Sequence, residues 1–267
     1  MAWSEHVVVR DRVRLACRGW GEPGQQPIVL LHGLAGHAGE WDVLARRLSC
    51  RYRVVAVDQR GHGASERHPR DVSRAAYGAD VIAVVDQLAL QRPVLVGQSL
   101  GGHTAMLTAA AHPGLVRALV LVEAGSGGPY PNGPVDIGGW LDSWPTPLPS
   151  RWNGSRIPRR RTGRCRLGGR AGRTRRQMVA SLRPGRDGPL AGGERPAFLL
   201  ARMDTGRMPH LVVLAQSSFI PAQEADEMLR QRPATIAMSI PGTGHDLHLE
   251  QPGILHTALS GFLEGLA

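Results

Sequence analysis

Four short apolar runs, Ile28 to Leu31, Val54 to Val57, Val94 to Gly97 and Ala118 to Val122, punctuate the first half of the chain, with no charged or hydroxyl-bearing residue inside any of them. A strand with one face in water alternates apolar and polar positions; an uninterrupted run of four or five reads as a strand buried on both faces, as in a parallel sheet covered by helices. Between the runs the spacing turns helical over Glu40 to Leu48, Val72 to Leu88 and Leu100 to Ala111, the last closing before Pro113-Gly114. Ahead of them, His6 to Arg10 and Val13 to Cys17 alternate around Asp11-Arg12 and predict a β-hairpin. Strand and helix alternate, so the expected class is α/β with a mostly parallel sheet flanked by helices.

After Glu123 the texture changes. Gly125 to Pro149 is rich in Gly and Pro, contains Trp140 and Trp144, and reads as a loop entering an inserted cap or lid. Regular patterning returns with a strand at Leu211 to Leu214, a helix at Ala222 to Gln231, a strand at Thr235 to Ser239 and a helix at Ile254 to Leu266. The expected organisation is a core of residues 1–128 and 210–267 with a cap at 129–209. Within the cap, residues 151–209 lack any sustained period and are crowded with Arg and Gly, which leaves three readings open: a solvated, partly disordered lid, a basic binding surface, or a stretch translated out of frame.

Charge reinforces that division. All 32 basic side chains are Arg, the net charge is +10, and 16 of the arginines fall between Arg151 and Arg207 against only Asp187, Glu194 and Asp204. The excess is local, without aromatic interleaving or a recognised module, so a nucleic-acid partner is not expected. No apolar run approaches the roughly 18 residues of a membrane span. Glu5, Arg10, Asp11, Arg12 and Arg14 interrupt the stretch where a secretion signal would be apolar, so the chain is expected to be cytoplasmic and to meet no membrane. Cys17, Cys50 and Cys165 share no metal-ligand spacing and are expected to be free thiols.

Candidate chemistry sits at strand ends. Gly97-Gln98-Ser99-Leu100-Gly101 matches G-x-S-x-G between a strand and a helix, the context in which a strained turn projects a serine as a nucleophile. His32-Gly33-Leu34 follows the first buried strand, where a loop N–H can face a developing oxyanion; Leu34 and Leu100 are the candidate donors. Gly242-Thr243-Gly244-His245 follows the last strand and offers His245 as general base, with His248 as the competitor three residues on. Asp58-Gln59-Arg60-Gly61-His62-Gly63 reads as structural, and a lone His62 is weak evidence for a metal.

Together these motifs resemble the α/β-hydrolase superfamily, specifically its bacterial esterase-like and cofactor-free haloperoxidase-like members. The carriers are His32-Gly33, Asp58 to Gly63 and Gly97 to Gly102 in the first block, and Pro221 with Gly244-His245-Asp246-Leu247-His248-Leu249-Glu250-Gln251-Pro252 in the second. The resemblance implies an α/β-hydrolase fold with an inserted cap and a small-molecule carbonyl substrate, such as an ester or lactone, attacked through an acyl-enzyme. No metal or organic cofactor is implied. Perhydrolysis, carbon–carbon bond hydrolysis and non-catalytic binding on the same scaffold are the alternatives.

The chain departs from the family pattern at the acid, where Ser217 and Ser218 occupy the usual place after Leu211 to Leu214. Glu123, at the end of Ala118 to Val122, satisfies the chain order serine, acid, histidine and is the candidate third member. A dyad without an acid, or an acid inside the Arg-rich segment, stays open. Asp226 is expected to be solvated and Asp246 to shape the histidine loop.

Overall fold

In the computed structural model, which describes residues 3–125 and 208–266, eight strands form one sheet in the order β1-β2-β4-β3-β5-β6-β7-β8. The hairpin β1 (Ser4–Arg10) and β2 (Val13–Trp20) joins β4 (Arg53–Val57) antiparallel, and β3 (Pro27–Leu31), β5 (Val94–Gln98), β6 (Ala118–Val122), β7 (His210–Ala215) and β8 (Ile236–Ile240) complete a parallel sheet. All but the last two residues of the anticipated cap, and of the Arg-rich stretch within it, lie outside the described residues, as does Cys165. Cys17 and Cys50 are free thiols.

The continuous apolar runs are explained by a core on each face. Successive side chains point to opposite sides of a strand, so Ile28 and Leu30 join one apolar cluster while Val29 and Leu31 join the other. On the first side lie α1 (Asp42–Leu48) and α6 (Pro252–Glu264), through Leu44, Leu48, Leu255 and Leu259. On the second lie α2 (Arg74–Gln87) and α3 (Leu100–Ala111), through Val81, Val84, Ala105 and Met106. Among the described residues the remaining α-helices are α4 (Ala222–Gln231) and the single turn α5 (Leu247–Glu250). No described helix is long and apolar enough to cross a membrane.

Several boundaries differ from those the pattern predicts. Ser73 accepts a hydrogen bond from Ala76 N and caps α2, so that helix begins at Arg74 rather than Val72. Residues Ala38–Trp41 form a 3-10 turn before α1 starts, instead of one helix from Glu40. The last helix begins at Pro252, whose fixed φ suits the first helical position, rather than at Ile254. Strand β8 runs one residue later than expected, in register with β7 from Leu211↔Ile236 to Ala215↔Ile240.

Topology then selects a place for the site. From the central β3 the chain builds outward first to β4 on one side and then to β5 on the other. At such a reversal the connections leave in opposite directions and open a crevice beyond the carboxyl ends of the strands. His32 directly follows β3 and Ser99 directly follows β5, at this crevice.

Three histidines in this frame are held neutral. Burial, helped by His32 for His62, by Arg74 for His103 and by Arg232 for His210, brings each pKa down to about 4. Their ordinary value is 6.5, so below it the unfolded chain binds protons that the folded one refuses. Stability is therefore expected to fall as pH drops from 6.5 towards 4, ahead of the carboxylates. Thermal melts should show the decline beginning near pH 6.5; a Tm flat from pH 7 to 5 would contradict it.

Candidate active site

Ser99 adopts φ 50° and ψ −115°, a left-handed backbone between the end of β5 and the first residue of α3. Such a conformation costs on the order of 1–3 kcal/mol in a non-glycine residue and persists only where the surroundings impose it. They do so here by close approach: a Cβ at Gly97 would overlap the backbone of Gly101, and one at Gly101 would overlap the carbonyl of Leu31. The turn is pinned further by Ser99 N donating to Val122 O at 3.1 Å and His103 N donating to Ser99 O at 3.1 Å. Leu100, as the first residue of α3, has an N–H with no intrahelical acceptor.

The loop after β3 passes directly beside the serine. A Cβ at Gly33 would lie 3.3 Å from Ser99 Cβ and would overlap the Gln98 carboxamide. Leu34 follows on this loop, and Ala35 takes φ 62°. His32 fixes the loop's base: its Nε2 accepts from Gln59 N at 3.0 Å, so the ring proton lies on Nδ1 and is donated to Gly33 O at 2.7 Å. Burial lowers the His32 pKa and keeps that neutral tautomer. Asp58 ties the next turn down, accepting from Ala38 N at 2.5 Å and Ala64 N at 2.7 Å. These contacts give the Asp58 to Gly63 motif the structural task expected of it. Among the described residues no cluster could hold a metal ion.

Glu123 directly follows β6, with φ 48°, and is buried. Its Oε1 accepts from Ala215 N at 2.6 Å; its Oε2 accepts from Phe219 N at 3.2 Å and faces His245 Nδ1 at 3.2 Å. Burial alone would raise its pKa, but the bonds from His245, Ala215, the Ser218 side chain and Phe219 outweigh burial and lower it. The side chain is thus an ionised acceptor surrounded by donors. With Nδ1 directed at the carboxylate, the basic lone pair of the His245 ring is on Nε2.

The histidine loop is held from several directions. Gln98 Nε2 donates to the main-chain oxygen of His245 at 3.1 Å, Gly244 N donates to Glu250 Oε2 at 2.8 Å, and the Phe219 ring meets the His245 ring edge-on with centroids 4.8 Å apart. Asp246 O accepts from Leu249 N and Glu250 N and so starts the turn of α5. Asp226 is exposed on α4. His248 faces Glu40 rather than Glu123.

The structure therefore brings Glu123 and His245 together and sets Gly33 against Ser99. Gln98, Ser218, Phe219 and Glu40 had no sequence signal of their own. Only the place of the serines after β7, where an acid was missing, hinted that the loop supplies donors to an acid from elsewhere.

A sheet with this order, carrying a strained serine after β5 and a carboxylate–histidine pair at the neighbouring strand ends, has the architecture of an α/β-hydrolase. The sequence model described as "Alpha/beta hydrolase family" matches residues 28–256, and the chain belongs to that family. It is 34% identical over 125 residues to 2-(acetamidomethylene)succinate hydrolase of Mesorhizobium japonicum, covering 45% of this chain and 44% of that protein. It is 38% identical over 120 residues to a non-heme chloroperoxidase of Streptomyces lividans, covering 44% of each. The matches thus span less than half the length of these curated relatives. Among solved structures, a bacterial membrane phospholipase A aligns with a TM-score of 0.74 at 24% identity, covering 99% of this chain and 87% of that one, a likeness of fold.

Proposed function

We propose that this chain is a serine-dependent hydrolase of small esters, lactones or related carbonyl compounds, working through an acyl-enzyme. The reading rests on one observation above the rest: Glu123 Oε2 lies 3.2 Å from His245 Nδ1, on the same crevice as the strained Ser99. Nδ1–H donated to an ionised carboxylate fixes the tautomer in which Nε2 is the base. His245 takes the Ser99 hydroxyl proton as Oγ attacks the carbonyl carbon, and Glu123 stabilises the imidazolium that results. The N–H groups of Leu34 and Leu100 are assigned to the oxyanion, in the manner of donors whose loss costs about 3 kcal/mol. The imidazolium then protonates the leaving alcohol, and a water activated by His245 releases the acid.

Peroxide in place of water would give a peracid from the same acyl-enzyme, a second outcome favoured by the similarity to a chloroperoxidase. A purely binding role would need neither the strained serine nor the aligned pair.

The test is a short-chain aryl ester assay beside labelling with a serine-directed fluorophosphonate. The wild type should turn over the ester and take up one label, and Ser99→Ala should lose both, with turnover down by more than about a thousandfold. Turnover that survives Ser99→Ala, or no labelling of the wild type, overturns the reading.

A further inference from the structure

A second carboxylate–histidine pair lies beside the first and has no part in the chemistry just described. His248 Nε2 is 3.4 Å from Glu40 Oε2; the His248 side chain is 1% exposed and that of Glu40 17%. The His248 ring packs on Trp41, with centroids 4.7 Å apart and planes 38° from parallel. Glu40 belongs to the 3-10 turn that ends the oxyanion loop, and its carboxylate lies against that loop, since a Cβ at Gly36 would come within 2.7 Å of Oε2. His248 stands three residues after His245, on the short helix α5. Burial would raise the Glu40 pKa, but the hydrogen bond from His248, first among the effects that lower it, helps to outweigh burial and bring it down.

We propose that Glu40 and His248 are positioning residues which tie the His245 loop to the oxyanion loop, so that base and oxyanion donors keep one register. The proposal rests on the reading of Ser99 as nucleophile and His245 as base. His245 itself is reached from the nucleophile turn by the Gln98 carboxamide and from β6 by Glu123. The Gln98 carboxamide also lies against Gly33 at the start of the oxyanion loop, but neither contact holds the segment after His245 against the end of that loop. The Glu40–His248 bond does, by joining two loops from opposite ends of the chain, 208 positions apart. A buried hydrogen-bonded pair of this kind has little room to slide, because Trp41 covers one face of the imidazole and is itself fully buried.

A misplacement of the order of 1 Å between reacting groups can cost about a hundredfold in rate. Glu40→Ala is accordingly expected to lower kcat on the aryl ester by about tenfold or more with KM changed less than about twofold. Glu40→Gln retains an oxygen that can accept Nε2–H and should recover most of that loss. In a double-mutant cycle, Glu40→Ala with His248→Phe should be no slower than the worse single variant, since both remove the same tie. The Nδ1–H resonance of His245, read in 15N-histidine-labelled protein without substrate, should shift in Glu40→Ala and return in Glu40→Gln. An unchanged kcat and an unmoved resonance in Glu40→Ala, or losses that simply add, overturn the proposal. If the wild type proves inactive and unlabelled, the hydrolase reading has failed; the His245 resonance then decides the tie alone, an unmoved signal overturning it and a shifted one supporting it.

Discussion

Glu123→Gln is expected to lower kcat by about 10³- to 10⁴-fold while leaving Ser99 open to slow fluorophosphonate labelling. Every neighbour of this carboxylate donates: Ala215 N to Oε1, Phe219 N and His245 Nδ1 to Oε2, and the Ser218 side chain besides. An amide has one oxygen for these donors and must point its NH2 at the rest. Turned towards His245, the NH2 would donate to Nδ1 and move the ring proton to Nε2, the tautomer that cannot accept a proton from Ser99. Turned towards Ala215, it would set two donors against each other in a buried place, at a cost of about 1–3 kcal/mol. Steady-state kinetics of the purified variant beside the wild type decides the matter. A rate within about threefold of wild type would remove Glu123 from the machinery and leave His245 to act without an acid.

The largest expected loss of stability comes from Asp80→Ala. Asp80 on α2 receives Arg60 Nε and Nη2 at 2.6 Å each, with the two side chains only 6% and 2% exposed. Arg60 also donates to Asp71 O at 2.6 Å, and Tyr77 Oη donates to Arg60 O at 3.1 Å. Removing the carboxylate leaves a guanidinium buried without its counter-charge, which typically costs about 3–5 kcal/mol. The urea midpoint should fall accordingly with little change in slope. Replacing both partners by apolar side chains of similar volume should restore much of the loss, because an intact buried pair contributes little net stability. A midpoint shift worth less than about 1 kcal/mol would show that water reaches Arg60 in the folded state.

The core strands were legible because their apolar runs leave only one environment for them, two covered faces. Ser99 was legible because a strained turn at a strand–helix junction demands small residues on both sides, and Gly97 and Gly101 supply them. Glu123 could be nominated from chain order alone, but its surroundings could not. Its donors are main-chain N–H groups of Ala215 and Phe219, and a backbone N–H carries no residue signature. Glu40 and Gln98 were invisible for a related reason: each reads locally as one polar residue in an amphipathic or motif context, and its partner lies more than a hundred positions away. Helix ends slipped by two residues or so where a cap or a proline, rather than hydrophobic period, sets the boundary.

The pairing of β6 with β7 has a further meaning for how the molecule tolerates change. In the proposed mechanism the nucleophile Ser99 and the acid Glu123 are both encoded before the long connection between those strands, at the ends of the neighbours β5 and β6, and only the base His245 is encoded after it. The spacing of Ser99 from Glu123 is therefore independent of whatever the connection contains. His245 is brought to them by the pairing of β6 with β7 and by the contacts of Gln98, Glu123 and Glu40 with the segment that follows the connection.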